Sequence, residues 1–148
     1  MEKLSVIASS PLFEMLSTAE LHRLAELARA RNFAAGEVIF EEGDLGDSLF
    51  VVVHGQVEVA RRQPGGGMHS LAVLSPPEFF GEMGLIDKDF RSATVHAKTD
   101  VDLLQLSAQD LRDFRSTHGD GFTFIVVNIA RSLSARLREA NVRLASKA

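Results

Sequence analysis

The chain has 148 residues, of which 45% are hydrophobic and 24% charged, with a formal net charge of −4. That is a single-domain length with enough apolar residues to close a core unaided, and it argues against disorder. There is no cysteine, which excludes disulfides, thiolate metal sites, iron–sulfur clusters and cysteine nucleophiles.

The first elements read as helical, over about residues 10–32. A short turn at Pro11–Met15 precedes Ser17-Thr18-Ala19-Glu20, a hydroxyl N-cap with a Glu three residues on. Leu21, Leu24, Leu27 and Ala28 follow at helical spacing. From Phe33 to about residue 107 the period is that of strands. Val38 and Phe40, Leu49, Val51 and Val53, and Val57 and Val59 alternate with their neighbours, and glycines punctuate them. Pro64–Gly67 is a hairpin tip, His69–Leu74 the returning strand, and Ser92–Ala97 and Val101–Leu106 complete the set. Helical spacing resumes at Ala108 with Leu111 and Phe114, breaks at Thr117–Gly121, and continues from about Phe122 to Ser146. Ala130, Leu133, Leu137, Ala140 and Leu144 form a seam of alternating three- and four-residue steps. The expected fold is one α+β domain over residues 1–148: an antiparallel, jelly-roll-like β-roll flanked by N-terminal helices and a long C-terminal helix.

Charge is unevenly spread. Residues 131–148 hold Arg131, Arg136, Arg138, Arg143 and Lys147 against Glu139 alone, a net +4, so residues 1–130 carry −8. An acidic body argues against nucleic-acid binding. The most apolar stretch, residues 122–130, is interrupted by Thr123 and Asn128 and falls short of the ~20 residues of a membrane span. With no apolar signal-peptide core at the N-terminus, a cytoplasmic protein without a membrane partner is expected.

The segment Phe79-Phe80-Gly81-Glu82-Met83-Gly84-Leu85-Ile86-Asp87-Lys88-Asp89-Phe90-Arg91-Ser92-Ala93-Thr94 carries the chemistry. A turn beginning at Gly81 exposes backbone N–H groups that attract an anion, phosphate above all. Arg91 adds a charge-assisted contact and Ser92 a hydroxyl. A carboxylate beside a phosphate would repel it unless it accepted hydrogen bonds from the same ligand, and a ribose hydroxyl is such a donor for Glu82. Phosphate plus ribose reads as a nucleotide. An internal Glu82–Arg91 ion pair with mere turn glycines is the other reading of these residues.

The segment resembles the phosphate-binding cassette of cyclic nucleotide-binding domains, as in bacterial catabolite activators and the regulatory subunits of cyclic-AMP-dependent protein kinase. Phe-Gly-Glu, a short helix and Arg-Ser-Ala recur with Arg91 nine residues after Glu82. Gly36–Phe40 and Gly43–Val59 look like the same family's glycine-punctuated roll, and the resemblance covers roughly residues 10–145. It implies backbone contacts from Gly81 and Met83, a ribose contact from Glu82, and a phosphate contact from Arg91 with Ser92 and Ala93 beside it. Leu71 and Val73 would line the base pocket. Pro76-Pro77 stands where the family usually has a glycine.

The resemblance makes the protein a binding module, not an enzyme, with no cofactor and a cyclic nucleotide as ligand. Cyclic AMP is favoured, since Ser92 after Arg91 resembles the catabolite activators; cyclic GMP is the alternative. It also implies a homodimer through the last helix, with Asn141 turned towards the base. In the transcription factors the DNA-reading domain follows that helix; this chain stops there, so no direct DNA binding is expected of it. No downstream effector is legible. Two other functions stand against this one. The first is a ligand-independent dimerisation domain of the same fold. The second is a small metal-dependent β-barrel enzyme, for which His22, His54, His69, His96 and His118 show no ligand spacing.

Overall fold

A computed structural model describes residues 2–84 and 90–146. Among these residues, helix α1 (Lys3–Ser9), a 3₁₀ turn (Pro11–Phe13) and α2 (Thr18–Leu27) lead into eight strands. These are β1 (Arg29–Phe33), β2 (Val38–Phe40), β3 (Ser48–His54), β4 (Val57–Arg62), β5 (Met68–Leu74), β6 (Phe79–Phe80), β7 (Thr94–Ala97) and β8 (Val101–Ser107). Helices α3 (Ala108–Thr117) and α4 (Gly119–Ser146) follow. The α+β roll expected from the sequence is the fold observed.

Two four-stranded antiparallel sheets face each other, in the orders β1-β8-β3-β6 and β2-β7-β4-β5. Phe50, Val52, Phe80, Val95 and Leu103 fill the space between them. A second apolar cluster lies outside the first sheet. There Leu49, Val51, Leu104 and Leu106 meet Ile7, Leu12 and Leu24 from the N-terminal helices, with Phe114, Ile125 and Ile129 from the C-terminal ones. The first sheet is therefore covered on both faces, which is why β3 is apolar almost throughout.

Local chemistry accounts for the helix starts. Ser17 Oγ accepts from Glu20 N at 3.2 Å and Glu20 Oε1 accepts from Ser17 N at 2.7 Å, closing the expected capping box. Ser107 and Asp110 make the same reciprocal pair at the start of α3 (3.0 and 2.9 Å).

Several boundaries differ from the sequence expectation. The N-terminal helical region ends at Leu27, not near residue 32, and Arg29–Phe33 pairs antiparallel with Val101–Gln105. This edge strand is largely exposed, so no apolar alternation announces it. Helix α1 and the two-residue β6 were not anticipated. The break before α4 is one residue, His118, rather than five. Asn128, which interrupts the apolar stretch, is buried and donates 2.9 Å bonds to the carbonyls of Leu12 and Glu14, pinning α4 to the 3₁₀ turn. Among the described residues no helix is long and apolar enough to cross a membrane.

Candidate functional site

A cavity of about 590 Å³ opens beside the second sheet, within the ~300–1,000 Å³ usual for ligand pockets. Val59, Leu71 and Val73 of β4 and β5 make an apolar wall. Gly81, Glu82 and Met83 make the floor, with Arg91, Ser92 and Ala93 beside them. Ser132, Ala135, Arg136, Glu139 and Arg143 of α4 close the remaining side. Every site residue expected from the sequence lines this cavity except Asn141. Leu85, Ile86, Asp87 and Asp89, in the stretch where the resemblance implies a short helix, lie outside the described residues.

Arg91 is 8% exposed. Its Nη1 donates to Gly81 O at 2.9 Å and its Nη2 to Ser48 O at 2.8 Å, while its buried Nε has no hydrogen-bond partner among the described residues. The guanidinium lies 4.0 Å over the Phe40 ring. Among the described residues no carboxylate forms an ion pair with it. Burial pulls its pKa below the usual arginine value, against the opposing fields of Asp47, Glu82 and Asp44. The result is a desolvated cation with an unsatisfied donor, a combination that an anion would relieve. Gly81 is bound up with this arrangement. Its φ is +86°, and a side chain there would meet Ser48 O at 2.8 Å and Arg91 Nη1 at 3.0 Å.

Glu82 is 3% exposed, and its partner is not Arg91. Its Oε1 accepts from Arg136 Nη1 of α4 at 3.0 Å. The second Arg136 nitrogen, Nη2, reaches Phe79 O at 3.4 Å. The alternative reading of an internal Glu82–Arg91 pair is therefore replaced by a pair that ties the cassette to the last helix. Ser92 is exposed at the cavity's edge, Ala93 is buried, and Leu71 and Val73 are exposed on the apolar wall.

Sequence reasoning missed the α4 face that borders the cavity. At 3.6 residues per turn, Ile125, Asn128, Ile129 and Ser132 share a face with Arg136, Glu139 and Arg143. The same face is buried at the helix base and charged where it crosses the cavity. Asn141 falls roughly opposite, on the side of the apolar seam. Phe40 and Gly46, which sandwich Arg91, were also missed. Two of the histidines have a carboxylate partner, His54 with Asp102 (3.3 Å) and His96 with Glu58 (3.2 Å). Among the described residues no group of three or more His, Asp or Glu is placed to hold a metal ion.

Residues 30–118 match the profile of the cyclic nucleotide-binding domain. A cyclic AMP receptor protein of Thermus thermophilus is 37% identical over 135 residues, 91% of this chain and 61% of that protein. A cyclic nucleotide-gated potassium channel of Mesorhizobium japonicum is 43% identical over 107 residues, 72% of this chain and 28% of the channel. The chain thus spans less than two thirds of either relative. A crystal structure of a cyclic nucleotide-binding domain from Methylobacillus flagellatus superposes with a TM-score of 0.86 at 26% identity, covering 99% of this chain and 83% of that one.

Proposed function

This chain belongs to the cyclic nucleotide-binding domain family, and on that premise we propose that its cavity binds cyclic AMP as a regulatory signal, without chemistry done on the ligand. The observation that carries the reading is Arg91, a buried cation in the cavity's lining without an ion-pair partner among the described residues. The cyclic phosphate takes Arg91 and Ser92, with backbone contacts from Gly81 and Met83. The ribose 2′-hydroxyl donates to Glu82, and the base lies against Leu71 and Val73. Cyclic AMP as the ligand is supported by the Thermus relative's description as a cyclic AMP receptor protein. Titration calorimetry with cyclic AMP and cyclic GMP tests this. Micromolar or tighter cyclic AMP binding is expected. Tighter binding of cyclic GMP would overturn the choice of base, and binding of neither would overturn the reading itself.

The proposed partner is a second copy of the chain, joined along α4. Val126, Leu137 and Leu144 are 44, 62 and 67% exposed, and they extend the stripe of Ala130, Leu133 and Ala140 over the helix. Leu133 packs in part on the chain's own core, and a helix that leaves the rest of such a stripe in water is short of a partner. Asn141 lies on the seam side, so in this arrangement its amide serves the partner's cavity rather than its own.

A further inference from the structure

A string of hydrogen bonds runs from the exposed edge of the first sheet to the Arg91 guanidinium. Arg31 of β1 donates from Nη1 to Gln105 Oε1 of β8 at 2.7 Å. Gln105 Nε2 donates to Ser48 Oγ, at the start of β3, at 2.8 Å. Ser48 Oγ donates to Asp47 Oδ1 at 3.1 Å, and Ser48 O accepts from Arg91 Nη2 at 2.8 Å. Donor chemistry fixes the direction of the string. A guanidinium can only donate, so Arg31 takes the amide oxygen of Gln105 and turns the amide nitrogen to Ser48. The hydroxyl accepts there and gives its own hydrogen to Asp47. Ser48 is 2% exposed, a buried polar residue held by its side chain from two directions. The β3–β6 ladder ends at Phe50↔Phe80. Just past that end the Arg91 guanidinium bridges the two chain segments, one nitrogen on Ser48 O and the other on Gly81 O.

We propose that Gln105 is a positioning residue for the phosphate: its bond to Ser48 fixes one of the two carbonyls that aim the Arg91 guanidinium. The proposal rests on the cyclic nucleotide reading and extends it to residues outside the cavity, since Arg31, Gln105 and Ser48 are not in its lining. A planar fork needs both its acceptors in place, and a binding group must be held to within about 0.5 Å to keep its aim. The Gly81 carbonyl belongs to a backbone set at φ +86°. The Ser48 carbonyl is set by its clamped side chain. Deprived of Gln105, the hydroxyl keeps its bond to Asp47, which precedes it in the chain and gives no anchorage to another strand. Gln105 gives that anchorage, because β8 is paired on both sides, by β1 and by β3. Arg31 holds the amide from the exposed edge.

The test combines calorimetry with cyclic AMP and nitrogen-15 NMR of the arginine side chains, on the parent, Gln105→Leu, Ser48→Ala and the double variant. Gln105→Leu should weaken cyclic AMP by about 3- to 10-fold, the range of one net hydrogen bond, and Ser48→Ala by a similar factor. Both act through one carbonyl, so the double variant should bind within about twofold of the weaker single variant. Losses that multiply would overturn the shared route. Arg31→Ala, which loosens the amide without removing it, should lie between the parent and Gln105→Leu. The second readout needs no ligand. The Arg91 Nε–H signal, assigned by its absence from Arg91→Lys, should exchange with water about 3- to 10-fold faster in Gln105→Leu than in the parent. Parental exchange of that signal in Gln105→Leu, or in Gln105→Met should the first variant not fold, would overturn the proposal. A parent that binds no cyclic nucleotide would overturn the reading of the site, and the exchange comparison would still decide whether Gln105 holds Arg91.

Discussion

Gly46 lies flat against the Arg91 side chain: a methyl group at Gly46 would fall 2.5 Å from Nε and 2.6 Å from Cζ. With the Phe40 ring 4.0 Å away, the guanidinium occupies a slot whose width leaves no room for a side chain. Gly46→Ala is therefore expected to displace Arg91 and break its bonds to Ser48 and Gly81. Cyclic AMP affinity should fall at least tenfold, about 1.4 kcal/mol. Calorimetry on the folded variant checks this, and unchanged affinity would mean that Arg91 can shift without consequence.

Arg91 itself should anchor the ligand. Removing the partner of a buried phosphate costs ~3–5 kcal/mol, two to three or more decades of affinity. Arg91→Ala also strands the carbonyls of Gly81 and Ser48, so thermal unfolding should be followed alongside calorimetry. A variant that folds and binds cyclic AMP like the parent would remove the phosphate site from this cavity.

The seam predicts an assembly. The parent should sediment as a dimer at micromolar concentration, and Leu137→Glu, which puts a charge in the middle of the stripe, should sediment as a monomer. A monomeric parent rules out the seam. Asn141→Ala should leave the dimer intact and weaken cyclic AMP binding; equal affinity would show that the amide touches no ligand in either copy.

Asn128 ties α4 to the N-terminal turn through two buried hydrogen bonds. Asn128→Ala leaves the carbonyls of Leu12 and Glu14 unpaired, at ~1–3 kcal/mol. For a chain of this size that lowers Tm by roughly 2–4 °C per kcal/mol, measurable by calorimetric or circular-dichroism melting.

The cavity's floor was legible because its signals are local. A glycine, a carboxylate and an arginine at fixed spacing describe one loop, and Gly81, Glu82, Met83, Arg91, Ser92 and Ala93 all line the cavity. The roll was legible from alternation and glycine punctuation. The α4 wall was not, because nothing in its own pattern says which face docks. The apolar stripe through Leu137 is the obvious candidate for burial, yet the face of Ile125 and Ile129 is the buried one, and it turns charged at Arg136. Tertiary placement alone selects between two faces about a quarter-turn apart. Strand β1 escaped for a related reason. Arg29–Phe33 is exposed, so its strand character comes from the bonds that β8 offers rather than from its own sequence. Helix α1 has no side-chain cap at Glu2 and buries only Ile7, leaving little to read.

Strand β3 has no wrong side. Leu49, Val51 and Val53 face the helices while Phe50 and Val52 face the roll interior. A slip of one residue would exchange the two sets with little loss of apolar burial, so alternation cannot by itself proofread the pairing. Fidelity has to come from the few places where the two orientations differ in shape or chemistry. Phe50 stacks on Phe80 at 5.1 Å within a trio completed by Phe40, and the Gln105 amide donates to Ser48 Oγ at 2.8 Å. Shifted by one, β3 would put Val51 into the ring stack and Leu49 opposite the amide. Two contacts that contribute modestly to total stability thus decide which way up the central strand is read.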